Sequence, residues 1–99
     1  MYRNNAYNED LAKEFKNPKF AREYLMNLIE DADEPMTVEE ALLFMIPRMG
    51  VAEFCHMTGK GKADVDKFLR GDRRPKPETL NEYLKPFGLK IKMILEKVA

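Results

Sequence analysis

The segment Gly59-Lys60-Gly61 constrains the fold of this chain more than any other feature of its sequence. It separates two short stretches, residues 51–58 and 62–70, and a further glycine, Gly71, follows the second one. Glycine readily adopts the left-handed conformation that ends helices, and a link of three residues makes two helices cross at a steep angle. The sequence therefore predicts a pair of short helices joined by a tight turn.

Small and apolar residues recur in both stretches at spacings that allow two helices to pack. We expect these side chains to face each other across the turn: Ala52, Phe54, Cys55, Val65, Phe68 and Leu69. The remaining positions of the second helix are polar or small, so this helix should present a hydrophilic face to solvent.

Two helices are predicted before this pair. Asn17 is an N-cap followed by proline at the first helical position, and apolar residues then recur at helical spacing through residue 29. After an acidic loop at 30–35, Thr37 and Glu40 form a capping box that opens the second helix. Its inward residues are Val38, Ala41, Leu42, Met45 and Met49. Pro47 should kink or end this helix near Ile46, because proline costs about 3 kcal/mol inside a helix.

The sequence predicts different structures for the two ends of the chain. Residues 1–16 should be partly disordered or form an extra segment, with the first eight frayed. Pro77 should begin a helix that carries Leu80, Tyr83, Leu84 and Phe87 and closes near Gly88. Residues 89–97 alternate in polarity, which predicts a strand, with a short helix as the alternative. A lone strand with an apolar face must pack on the helices or pair with another copy, and we expect the second, a homodimer.

Charge is distributed unevenly along the 99 residues, although 17 basic and 17 acidic side chains give a net charge of zero. Residues 1–40 hold 5 basic and 10 acidic side chains, whereas residues 60–76 hold 7 basic and 3 acidic ones. The second region concentrates positive charge that phosphates can use, although a simple solvated face would have the same composition.

The remaining whole-chain properties indicate one soluble domain, residues 1–99. The length suits a single core, and no apolar run approaches the roughly 20 residues of a membrane span. The amino terminus is polar and Cys55 is the only cysteine, which favours the reducing cytoplasm.

No residue pattern indicates a metal, a cofactor or catalysis. His56 is the only histidine and has no ligand cluster, Cys55 has no basic partner arranged like a catalytic dyad, and the acidic loop lacks the spacing of a calcium site. We therefore expect packing and solvation roles for these residues, and a protein that is not an enzyme.

Residues 51–89 resemble the helix-turn-helix of the lambda-repressor (XRE-type) superfamily. The resemblance lies in the glycines at 59 and 71, the prolines at 75 and 77, and the ending Phe87-Gly88-Leu89. The motif N-P-K-F-A-x-E-Y-L at 17–25, the acidic loop and the short carboxy-terminal strand are further similar to HigA-like addiction-module antidote proteins. Together the match covers about residues 17–97. Cys55 replaces the usual alanine, and Pro47 interrupts a helix that is usually continuous.

This resemblance implies an all-α fold of about five helices with a short carboxy-terminal strand. Residues 17–49 would be the amino-terminal helices, 50–88 the helix-turn-helix core and 89–97 the strand. The implied function is that of an antitoxin, a regulator that binds double-stranded DNA at a pseudo-palindromic operator, represses its own operon and binds a toxin. The alternatives are a phage or plasmid regulator without a toxin, and a protein-interaction module that has lost DNA binding.

If docking follows the usual geometry, the start of the second helix enters the major groove. The expected base-reading residues are Lys62, Ala63 and Lys67. The expected phosphate-contacting residues are Lys60, Gly61, Arg70, Arg73 and Arg74. Asp64 and Asp66 lie on the same helix and oppose DNA binding, since carboxylates repel phosphates, although a carboxylate can also accept a hydrogen bond from cytosine.

Overall fold

Six α-helices carry most of the backbone in the computed structural model, which describes residues 7–72 and 74–92. They are α1 (Glu9–Glu14), α2 (Pro18–Ile29), α3 (Val38–Met49), α4 (Val51–Thr58), α5 (Lys62–Arg70) and α6 (Pro77–Leu84), and a 3-10 turn at Lys85–Phe87 follows α6. The prediction of a helical protein is confirmed, with one helix more than the five or so expected.

The additional helix is α1, and a side-chain cap and an aromatic cluster hold it. Asn8 Oδ1 accepts hydrogen bonds from the backbone amides of Asp10 (2.9 Å) and Leu11 (3.1 Å), which are donors that a helix start leaves free. Directly after α1, Phe15 is fully buried, and edge-on contacts with Phe20 and Tyr24 surround its ring. The prediction of fraying through residue 8 is therefore wrong at Asn8, whereas residues 1–6 lie outside the described range.

The caps predicted for α2 and α3 are confirmed. Asn17 Oδ1 accepts a hydrogen bond from the backbone amide of Lys19, and Pro18 begins α2. Thr37 and Glu40 exchange side-chain to backbone hydrogen bonds of 2.9 and 3.1 Å in a complete capping box. These contacts set the start of both helices, and the acidic segment between them is exposed as expected.

Pro47 does not end α3, so the prediction is wrong in its alternative that the helix stops near Ile46. The helix runs on to Met49, and the amide of Gly50 still donates to the carbonyl of Ile46. Contacts of neighbouring residues hold the helix around the proline. Ile46 and Met49 are buried, and Arg48 Nη1 donates a 2.7 Å hydrogen bond to the carbonyl of Phe44, one turn back. Gly50, at a φ of 103° that other residues rarely adopt, then starts α4 without an intervening loop.

Aromatic rings join the second half of the fold. The Phe54 ring of α4 packs edge-on against Tyr83 of α6 at 5.4 Å and stacks with Phe87 at 6.5 Å. Phe68 of α5 contacts the same Tyr83 ring at 5.3 Å. The four apolar residues predicted for the last helix, Leu80, Tyr83, Leu84 and Phe87, are all buried. Because Tyr83 contacts both α4 and α5, α6 fixes the relative position of these two helices.

The predicted carboxy-terminal strand is not confirmed. Residues 89–92 form no strand, and residues 93–97 lie outside the described range. The segment instead folds back onto α6, because the amide of Ile91 donates to Asn81 Oδ1 at 2.6 Å and that of Leu89 donates to the carbonyl of Leu84. Leu89 and Ile91 are partly buried against the core, so these two apolar residues pack within the chain.

One cluster of buried side chains extends from Phe15 to Phe87 and takes members from α2 to α6 and the 3-10 turn. None of the helices in the described ranges has the length and apolar character required to cross a membrane.

Candidate nucleic-acid interface

The link between α4 and α5 has the predicted three residues, and both glycines have a structural role. Gly59 ends α4 in the left-handed conformation, with a φ of 73°, and its amide donates to the carbonyl of Cys55 at 2.9 Å. Gly61 is extended and begins α5. The Thr58 hydroxyl donates to the carbonyl of Phe54 and accepts from the amide of Lys60, which fastens the turn to the end of α4.

The packing between α4 and α5 follows the predicted pattern at five of six positions. Phe54, Val65 and Phe68 are buried, and Cys55 and Leu69 are partly buried against them. The prediction is wrong for Ala52, which is exposed on the other side of α4. With only eight residues in α4, the inward face consists mainly of Phe54 and its neighbour Cys55, so Ala52 is not needed in the core.

The outward face of α5 is polar. Lys62, Ala63, Asp64, Lys67 and Arg70 are exposed, whereas Asp66 is intermediate. Val65 and Phe68, which are buried, hold this helix on the core. The predicted base-reading residues thus share one solvent-facing surface.

Four of the cations at or near this surface are paired with carboxylates. Lys62 Nζ lies 2.8 Å from Asp66 Oδ2 one turn along α5, with the two side chains 75% and 31% exposed. Lys60 pairs with Glu82 of α6 at 2.5 Å, and Arg70 pairs with Asp72 at 3.0 Å. Arg74 Nη2 lies 3.8 Å from Glu39 Oε1 on α3, and this arginine is 90% exposed.

These pairs change the significance of the acidic residues on α5. Asp66 is not an isolated negative charge, because its carboxylate accepts a hydrogen bond from Lys62. In turn, Lys62 is engaged within the helix rather than extended toward a ligand. Lys67 is different, since it forms no ion pair with any carboxylate in residues 7–72 and 74–92.

A basic groove lies between α5 and α6. We give this name to a cavity of about 460 Å³ whose charged lining consists of Lys60, Asp64, Lys67, Arg74 and Lys76. Pro75, Phe68, Thr79 and Tyr83 complete its walls. Four cations and one carboxylate therefore converge on one recess, on the side of α5 that faces α6.

Local contacts shift the pKa values of several groups around this recess. The hydrogen bond from Lys60 to Glu82 raises the pKa of that lysine, and the hydrogen bond to Asp66 raises the pKa of Lys62, so both stay charged. Burial is the main reason that the pKa of Tyr83 is raised, with a smaller contribution from Asp64. The Tyr83 hydroxyl therefore keeps its proton near neutral pH.

The surroundings of Cys55 and of the acidic loop favour structural roles for both. Burial, and then the Asp66 carboxylate, raise the pKa of the Cys55 thiol, which is the opposite of what an activated nucleophile requires. Asp31 Oδ1 accepts hydrogen bonds from the amides of Asp33 and Glu34, which lower the pKa of Asp31 and shape the loop. Within the described ranges, no three side chains of the metal-ligating types come together.

Comparison with known proteins gives no match for the chain. No protein-family model, curated protein or solved structure matches it. The resemblance to lambda-repressor-like and HigA-like proteins therefore depends on the residues quoted above.

The structure brings most of the predicted contact residues together. Lys60, Gly61, Lys62, Ala63, Asp64, Asp66, Lys67 and Arg70 belong to α5 or to the link before it. Arg74 lies across the basic groove, and Arg73 lies outside the described residues. Sequence reasoning missed Lys76, Thr79 and Tyr83 as groove residues. Lys76 was identifiable from its place in the basic stretch 60–76, whereas the other two lie in the groove only because α6 packs beside α5.

Proposed function

We propose that α4 and α5 form a helix-turn-helix of the lambda-repressor type and that the chain binds double-stranded DNA through α5. The observation that carries this proposal is the exposed face of α5, which follows a three-residue link and includes Lys67, a cation with no carboxylate partner among residues 7–72 and 74–92. Helices presented in this way enter the major groove with their amino-terminal residues toward the bases.

The ion pairs assign different roles to the cations. Lys67 can contact a base or a phosphate directly. The hydrogen bond between Lys62 and Asp66 must break before Lys62 can contact DNA. Exposed pairs separated by four residues in a helix contribute only about 0.3–0.5 kcal/mol, so a DNA phosphate can displace the carboxylate. The side chains of Arg70 and Arg74 are also exposed, so each can leave its carboxylate partner for a DNA phosphate. Such contacts would position the protein on the DNA backbone.

The test is duplex binding at low salt by the full chain and two charge-reversal variants. Lys67→Glu places a carboxylate at the centre of the proposed interface, and Lys19→Glu makes the same change in net charge at an exposed position on α2. A random-sequence duplex suffices, because phosphate contacts supply non-specific affinity.

We expect the parent chain and Lys19→Glu to retard the duplex equally, and Lys67→Glu to lose binding. Equal behaviour of the two variants would contradict the assignment of α5, and no binding by the folded parent chain would contradict DNA binding altogether.

As to biological role, we propose a regulator of the antitoxin type that acts as a homodimer on a pseudo-palindromic operator. A dimer would present two copies of α5 to half-sites about one helical turn apart. Support for a toxin partner comes from the acidic residues of 1–40, which offer a surface for a basic protein. Co-purification with the product of an adjacent reading frame tests the toxin, and light scattering tests the dimer.

A second candidate is a protein-interaction module that has kept the fold without DNA binding. The observation in its favour is the pairing of Lys60, Lys62, Arg70 and Arg74 with carboxylates, which lowers the positive potential that DNA would meet. Loss of toxin binding on neutralisation of the acidic residues of 1–40, together with the absence of duplex binding by the folded chain, would support it.

A further inference from the structure

The basic groove has a composition and shape that contact with a DNA backbone does not require. Its volume of about 460 Å³ lies within the range of roughly 300–1,000 Å³ that is typical of small-molecule sites. It is a recess between α5, residues 74–76 and α6, whereas a phosphate on a duplex can be held by side chains on an open surface.

The charges in the groove favour an anion. Lys67 and Lys76 have no carboxylate partner in the described parts of the chain, and both line the recess. Asp64 is the one carboxylate in the lining, and Lys60 is close enough to interact with it. Lys67 and Lys76 are thus two ammonium groups without a salt bridge, and both can approach the phosphate of a monoester, which carries about −1.5 to −2 near pH 7.

Neutral groups in the walls add hydrogen-bonding capacity and rigidity. Thr79 and Tyr83 bring hydroxyl groups that can donate to phosphate oxygens. Pro75 and Pro77 flank Lys76 and restrict the backbone there, so less conformational freedom is lost when a ligand binds. Phe68 and Pro75 supply apolar wall for the organic part of a ligand.

From this geometry we infer that the basic groove is a binding site for a small phosphate monoester of about the size of a mononucleotide. The phosphate contacts Lys67 and Lys76, and the remainder of the ligand lies along Phe68 and Pro75. The site does not depend on the DNA-binding proposal. If both hold, the ligand and DNA compete, because Lys67 belongs to both surfaces.

The experiment follows amide chemical shifts of the isotope-labelled full chain during titration with AMP and, separately, with inorganic phosphate. Lys76→Glu reverses a charge in the groove at a position outside the exposed face of α5. Lys19→Glu is the matched control, since it changes the net charge equally and does not line the groove. Spectra of both variants without ligand show whether each has kept its fold.

We expect AMP to shift the amides of Lys76, Thr79 and Asp64 with a Kd near or below about 1 mM, and Lys76→Glu to weaken binding about tenfold or more. Tighter binding of AMP than of phosphate would assign the organic part to the groove and support the inference, whereas equal binding would show an anion site only and contradict the contacts proposed for Phe68 and Pro75. Absence of shifts, or equal shifts in folded Lys76→Glu, overturns it. Binding of AMP without any binding of duplex DNA refutes the proposed function and leaves this inference intact.

Discussion

At the scale of single residues, the pairing of Lys62 with Asp66 controls how much positive charge α5 presents. Asp66→Asn removes the carboxylate and releases Lys62, so we expect duplex affinity to rise severalfold. Fluorescence polarisation at fixed salt measures this change. Glu23→Gln, which neutralises an exposed carboxylate on α2, is the control and should leave affinity nearly unchanged. Weaker binding by Asp66→Asn would instead show that this carboxylate contacts DNA or orders α5.

The Cys55 thiol should react slowly with alkylating reagents near neutral pH. Its pKa is raised by burial and by the Asp66 carboxylate, so the reactive thiolate fraction is smaller than that of an ordinary cysteine. The rate of alkylation should therefore still be rising with pH where a free thiol has reached its plateau. A reaction as fast as that of a small-molecule thiol at pH 8, followed by mass spectrometry, would contradict this environment.

Phe54 supports the aromatic contacts that join α4 to α6. Phe54→Ala should lower the free energy of unfolding by about 3–5 kcal/mol, because the fully buried ring leaves a cavity between Tyr83 and Phe87. Ala52→Ser, at the exposed position two residues earlier, should change it by less than about 0.5 kcal/mol. Urea denaturation gives both values, and similar effects of the two substitutions would show that the inward face of α4 is wrongly assigned.

At the scale of elements, α1 depends on its cap. Asn8→Ala should cost about 1 kcal/mol, since two amides lose the acceptor that the Asn8 side chain provides. In a domain of this size the melting temperature should fall by about 4–8 °C. Asn27→Ala, an exposed change within α2, should have no destabilising effect because alanine favours helix. An unchanged melting temperature for Asn8→Ala would mean that α1 contributes little to the fold.

The helix boundaries that were predictable from sequence depend on local chemistry. Asn17, the pair Thr37 and Glu40, and Gly59 each act on a backbone group within four residues, so their identity and spacing are sufficient. The helix α1 was missed because much of its support comes from Phe15 packing against Phe20 and Tyr24, which short-range rules do not include. The prediction that α3 ends near Pro47 is wrong for a similar reason, because buried neighbours and the Arg48 side chain hold that part of α3.

In the candidate site too, local features were predictable from sequence and long-range contacts were not. The polar face of α5 follows from helical spacing, and the structure confirms its exposure. The partners of Lys60 and Arg74 lie on α6 and α3, more than twenty residues away in sequence, so neither ion pair was predictable. The basic groove likewise exists only when α6 packs beside α5, which explains why Thr79 and Tyr83 carried no signal of their own.

At the scale of the whole molecule, a net charge of zero is compatible with DNA binding because charge is segregated. Acidic side chains concentrate in residues 1–40 and basic ones in residues 60–76. The ion pairs of Lys60, Lys62, Arg70 and Arg74 reduce the field of the basic region, and under the proposed function DNA phosphates would have to replace these carboxylates. Affinity should therefore be modest and strongly dependent on salt.

The salt dependence of duplex binding tests the central claim, that α5 contacts DNA with Lys67 at the centre of the interface. The logarithm of the association constant should fall linearly with the logarithm of salt concentration for the parent chain. If Lys67 contacts a phosphate, Lys67→Ala should reduce the magnitude of this slope by about 1, whereas Lys19→Ala should leave it unchanged. If Lys67 reads a base, affinity should fall for a selected duplex with less change in slope. Identical affinity and slope for Lys67→Ala and the parent chain would contradict the account.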